Sequence, residues 1–170
     1  VTAAFLRLNR RTFASLRHRN YRLFFFGQIT SVTGTWMQNV AMAWLVLELT
    51  GSPFAVGILV LCQFLPFSVL GLFAGVFADR LDARRLVMTT QAAAMVTATL
   101  LALLTLLGNI EPWQVYVLAV VRGMVLVFDA PARQAFTYQM VGPAELPNAI
   151  ALNSSLFNAA RVVGPAIGGV

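Results

Sequence analysis

Long apolar runs, separated by short polar or charged breaks, organise this chain of 170 residues. The runs cover about 23–49, 54–78, 86–107, 113–130 and 147–170. Crossing a hydrocarbon layer of about 30 Å takes roughly 20 helical residues, a length these runs approach or exceed. The pattern therefore predicts an all-α integral membrane protein with five transmembrane helices. Thr50-Gly51-Ser52-Pro53 is a turn, with Pro53 suited to the first turn of the next helix. Gly108 to Pro112 separates the third and fourth runs. After Asp129-Ala130-Pro131 a more polar connection carries Arg133, Gln134, Tyr138, Gln139 and Glu145, and Pro147-Asn148 then opens the fifth run. The first run is too long for the apolar part of a signal peptide and lacks a cleavage pattern, so it is expected to be retained.

Polar residues inside the runs follow helical spacing. In the first, Gln28, Ser31, Thr35, Gln38, Asn39 and Met42 recur at three- and four-residue intervals and share one face. Polar groups in a bilayer need partners or water, so this stripe is expected to look inward. It either lines a cavity or bonds packed helices together. The fifth run carries Asn153, Ser154, Asn158 and Arg161, with Ala160, Gly164 and Gly168 as a small-residue stripe suited to close packing. Gly164-Pro165 is expected to break its hydrogen-bond ladder, and Gly168-Gly169 to prolong the weakness.

Composition strengthens this reading: 59% of residues are apolar and 11% charged, against about half and a quarter in soluble domains. The net charge of +6 comes from twelve arginines and six acids. Residues 1–22 form a basic arm with Arg7, Arg10, Arg11, Arg17, Arg19 and Arg22. Phe5, Leu6, Phe13 and Leu16 are interleaved with them, which suits a helix lying on a membrane surface. The arm, the 79–85 hairpin and the Arg133 connection hold all the loop arginines, and the alternate loops hold none. The positive-inside rule then places the amino terminus in the cytoplasm. Charge placed this way reports orientation in the membrane, so no nucleic-acid partner is expected. The single cysteine, Cys62, reads as a small buried apolar residue. The single histidine, His18, reads as a surface residue of the arm. No metal cluster, phosphate loop or nucleophile elbow is present in the sequence, so neither an enzyme nor a cofactor is expected.

Charged residues at the helix ends and in the spans supply the candidate chemistry. Gly71, Gly75 and Asp79 share a face at four-residue spacing, and Arg80, Arg84 and Arg85 follow. Gly71-x-x-x-Gly75 permits close helix approach. Asp79 can meet a helix amino terminus or a neighbouring arginine, contacts that a rocking motion would make and break; the alternative is a solvated loop that only fixes topology. Arg122 and Arg161 lie about 13 and 18 Å into the fourth and fifth runs. Guanidinium groups at that depth need anions, supplied by a substrate, by other helices, or by structural pairing. Asp129 and Arg133 have the spacing of an ion pair within one helix.

Gly75-Val76-Phe77-Ala78-Asp79-Arg80-Leu81-Asp82-Ala83-Arg84-Arg85 resembles the loop after the second helix of major facilitator superfamily transporters. It departs where the usual glycine is Asp82 and the next basic residue is Ala83. Arg122-Gly123 resembles the fourth-helix motif proposed to assist proton transfer. Gly164-Pro165-Ala166-Ile167-Gly168-Gly169 resembles the fifth-helix antiporter motif, with Ala160 where a glycine is customary. The stretches Asp129 to Phe136 and Pro147 to Ser154 are similar to the subgroup that contains the enterobactin exporter.

The resemblance, from about Phe13 to Val170, implies the amino-terminal bundle of such a transporter over residues 23–170. The chain lacks an initiator methionine and stops inside a helix, so a fragment is expected, with a carboxy-terminal half missing. The resemblance further implies a bacterial inner-membrane efflux transporter that exchanges protons for small organic molecules, a siderophore or anionic metabolite among them. A broad multidrug exporter and a non-transporting membrane scaffold are the alternatives. The expected roles are a switch at Gly75, Asp79, Arg80, Arg84 and Arg85, and a substrate or proton pathway at Gln28, Thr35, Gln38, Asn39, Arg122, Asn158 and Arg161. Gly164, Pro165, Gly168 and Gly169 would form the packing motif.

Overall fold

A computed structural model describes residues 14–78 and 80–169, and within them the fold is entirely helical. A short 3-10 turn, Ala14–Arg17, leads into α1 (Arg19–Thr50), followed by α2 (Pro53–Ala78), α3 (Ala83–Leu106) and α4 (Pro112–Gly168). Asp79 and most of the basic arm, residues 1–13, lie outside the described residues.

The helix ends have local causes. Gly51 takes φ +63° after α1, where its amide donates to Leu47 O at 2.8 Å, a left-handed cap open to glycine. Pro53 then starts α2, where its missing N–H costs nothing. Asp82 caps α3, its side chain accepting from the Arg85 amide at 2.8 Å. That cap corrects the expected start of the third helix: Arg84 and Arg85 belong to its first turn and not to the preceding loop. The departure from the family pattern at Asp82 thus has a physical use. Before α4, the Glu111 amide donates to Gln114 Oε1 at 3.0 Å, and Pro112 takes the first helical position.

Residues 131–146, expected as a connection, are helical apart from a break at Gly142 (φ 71°, ψ 177°). Pro131 removes a single hydrogen bond and the helix runs on through it. Gly142 occupies a region of backbone space that side chains exclude, and Pro143 beside it disfavours helical geometry at Gly142. The 57-residue run is therefore two helical segments, 112–141 and 143–168, meeting at Gly142.

Among the described residues three helices are long and apolar enough to cross a membrane: Pro53–Val76, Ala83–Leu106 and Pro112–Gly168. The 32 residues of α1 reach about 48 Å, but Gln28, Ser31, Thr35, Gln38 and Asn39 through its middle dilute its apolar character. Few residues of α2 are buried, and Leu72 is 89% exposed. Water does not tolerate so much bare apolar surface on a folded protein, whereas lipid does.

The described residues form two compact units, one within 41–136 and one of 14–40 with 137–169. The core of the first joins Met42, Val46, Ala55, Leu59, Leu101, Val115, Leu118 and Ala119. The second holds one cluster of Tyr21, Val141, Ala149 and Leu152 and another of Val32, Leu156 and Ala160.

Candidate functional site

The polar stripe of α1 is buried to differing degrees. Gln28 is buried, Ser31, Thr35, Gln38 and Asn39 are partly buried, and Met42 is fully buried in an apolar core. Ser31, Thr35 and Asn39 all have interaction partners. Gln28 Nε2, Gln38 Nε2 and the Trp36 indole nitrogen are buried without one, which makes α1 a run of unspent donors. The exposed face of α1 passes through Gly27, Thr30 and Gly34, away from the stripe.

In the segment of α4 beyond Gly142 the two faces separate cleanly. Ala149, Leu152, Leu156, Ala160 and Gly164 are buried, while Ala151, Ser154, Asn158 and Arg161 are exposed. The Asn158 amide donates to Ser154 O at 2.9 Å along its own helix, so it stays on that open face. The small-residue stripe packs on α1: a methyl at Gly164 would lie 2.6 Å from Trp36 Cβ and 3.0 Å from Thr33 O. One at Gly168 would lie 3.3 Å from Met37 Cα. Trp36 and Phe157 meet edge to face at 5.9 Å. At Gly164-Pro165 the ladder loses only the rung of the missing Pro165 N–H, and the helix continues to Gly168; the Gly169 amide reaches Pro165 O at 2.9 Å.

Within the 41–136 unit, Arg122 is partly buried and has an interaction partner. The neighbouring Gly123 presses on α2, since a methyl there would lie 2.4 Å from Gln63 O and 3.0 Å from Pro66 Cγ. One helical turn and a half further on, Asp129 is buried. It accepts from Thr90 Oγ1 at 2.7 Å and Gln91 Nε2 at 3.0 Å, and pairs with Arg133. Thr90 and Gln91 escape sequence reasoning centred on charge, although Gln91 is the one side-chain amide in α3.

Among the described residues, no other helix approaches the glycines before the switch segment closely. A methyl at Gly75 meets nothing within 4 Å, and one at Gly71 meets only Phe67 of the same helix. Arg80, Arg84 and Arg85 are exposed, and among the described residues none of them forms an ion pair.

Comparison with known proteins gives a consistent picture. A family described as transmembrane secretion effectors matches residues 10–170. The staphyloferrin A transporter of Staphylococcus aureus (strain NCTC 8325 / PS 47) is 28% identical over 150 residues, covering 88% of this chain and 38% of that protein. The multidrug efflux pump Tap of Mycolicibacterium fortuitum is 31% identical over 153 residues, covering 87% and 37%. Macrolide efflux protein A of Streptococcus pyogenes is 24% identical over 155 residues, covering 89% and 38%. The chain thus spans well under half the length of these relatives. No solved structure matches it.

Proposed function

Because the chain belongs to the transmembrane secretion effectors, a family of major facilitator superfamily transporters, we propose that it forms part of a proton-coupled exporter of small organic molecules. The observation that carries this reading is the exposed polar face of Ser154, Ser155, Asn158 and Arg161 on the helical segment beyond Gly142, whose remaining exposed residues are apolar. Val162 beside them is 71% exposed. A guanidinium turned towards lipid at that depth is costly, so this face belongs on a wetted path or against a partner surface. Arg122, in the unit of residues 41–136, is the other arginine deep within the runs, and two such cations favour an anionic compound such as a siderophore as the substrate class.

Export of anions predicts a charge-selective defect. In the full-length gene product, Arg122→Ala and Arg161→Ala are each expected to lower efflux of a carboxylate-bearing substrate by about tenfold, the worth of one charged hydrogen bond. Efflux of a cationic drug should change less than twofold. Equal losses for both substrates would remove anion recognition and favour the second reading, a multidrug exporter. The 31% identity to a multidrug efflux pump supports that second reading.

The same proposal takes α1 as a membrane span, divides α4 into two at Gly142, and puts the amino terminus in the cytoplasm of a bacterial inner membrane. Asp79 would then stand at the cytoplasmic boundary as one side of a charge contact that breaks and reforms as bundles rock. Asp79→Asn is expected to cut efflux several-fold at unchanged membrane insertion, measured by efflux alongside a blot of the membrane fraction. Unaltered efflux at equal expression would leave Asp79 a topology signal.

A further inference from the structure

The 3-10 turn Ala14–Arg17 is too short to hold its shape alone, yet Ser15 is fully buried. Its partners lie just beyond the break at Gly142. The Ser15 amide donates to Asn148 Oδ1 at 3.1 Å, so a distant side chain caps the turn. The Ser15 hydroxyl stands 2.9 Å from the same oxygen and 3.1 Å from Glu145 O, and its one proton is shared between these acceptors. His18 Nε2 lies 3.2 Å from Glu145 Oε2. At the start of α1 the Tyr21 hydroxyl stands 3.1 Å from Ala149 O and 3.0 Å from Asn153 Oδ1. Leu16 and Tyr21 close over Val141, Leu146, Ala149 and Leu152. Ser15 and Tyr21 of the leading segment thus bond to one short stretch, 145–153, with His18 beside them.

We infer that residues 14–21 are a fixed clasp that fastens the helix beyond Gly142 to the start of α1, with Gly142 as the joint at which α4 flexes. Gly142 carries φ 71° and ψ 177°, so the helical ladder does not run through it as a rigid link. Position beyond the joint is set by the clasp. Alternating access moves bundles as rigid bodies, and the clasp supplies that rigidity where the backbone itself gives way. The clasp needs only a folded protein in a membrane or micelle, so it stands apart from the question of what is exported.

Amide hydrogen exchange on the full-length gene product in detergent micelles tests it. Residues 14–22 are expected to exchange slowly, and equally so with and without an added transported compound. Asn148→Leu is expected to speed exchange by about tenfold in both 14–22 and 143–153, leaving α2 unchanged. Ser15→Ala removes only the hydroxyl; should Asn148→Leu fail to fold, it must still speed exchange in the same two stretches. Fast exchange at 14–22 in the parent protein would overturn the clasp. So would acceleration confined to one stretch, or a rise in exchange at 14–22 on adding the compound.

Discussion

Valine in place of Gly123 is expected to prevent recovery of folded, monodisperse protein. The contact is with backbone: a Cβ at position 123 sits 2.4 Å from Gln63 O and 3.2 Å from Gln63 C, and 3.0 Å from Pro66 Cγ. Neither a helical carbonyl nor a proline ring can turn aside, so α2 and α4 must separate. In lipid the association of helices rests on such packing, because the surrounding chains are as apolar as the side chains. Alanine should cost about 3 kcal/mol, the upper end for an overpacked methylene, and valine adds two further carbons at the same point. Thermal stability of the full-length gene product by detergent gel filtration would read the series. Gly57→Ala is the control, because a methyl at that exposed glycine of α2 meets nothing within 4 Å. A Gly123→Val protein as stable as the parent would mean that the two helices do not approach here.

Gly123 also marks what the sequence discloses and what it withholds. Its apolar runs announce a membrane protein, because length and composition alone set whether a helix suits a bilayer. Small residues announce close approach without naming the partner. Gly71 and Gly75 have the spacing of a packing motif, yet among the described residues it is Gly123 and Gly164 that lie against other helices. Periodicity likewise placed Gln28, Ser31, Thr35 and Asn39 on one face of α1 and left open whether that face meets a cavity or neighbouring helices. In the structure Gln28 and Met42 are buried, whereas Ser31, Thr35 and Asn39 are partly buried. Pro131 looked like a boundary, but one lost hydrogen bond does not end a helix held by tertiary contacts. The positive φ of Gly142 does end it, and the Gly-Pro pair alone does not announce the break, because Gly164-Pro165 stays within the helix.

Asp129 is where a single atom-scale change should cost most. Its buried carboxylate satisfies Thr90, Gln91 and Arg133 at once, tying α3 to α4. Asp129→Leu deletes the anion and leaves the Arg133 guanidinium, 18% exposed, without its carboxylate partner. Removing one partner of a fully buried pair costs about 3–5 kcal/mol. Arg133 is only partly buried, so the loss is expected at about 3 kcal/mol or below, still a large share of the stability of a typical domain. The expected result is a steep fall in the thermal midpoint of the full-length gene product in micelles, with little protein surviving extraction. Removing both charges should do less harm than removing one, so Asp129→Leu with Arg133→Leu is expected to regain at least half of the loss. Asp129→Asn keeps an oxygen for Thr90 but turns an amide towards Gln91 or Arg133, and should fall between the parent and leucine. A structural role also fixes the transport phenotype: efflux per folded molecule, and its response to a proton gradient, should survive Asp129→Asn. Loss of the gradient response in a protein of parental stability would overturn that role and make Asp129 a proton carrier, because only a titrating carboxylate would be missed by the cycle and not by the fold.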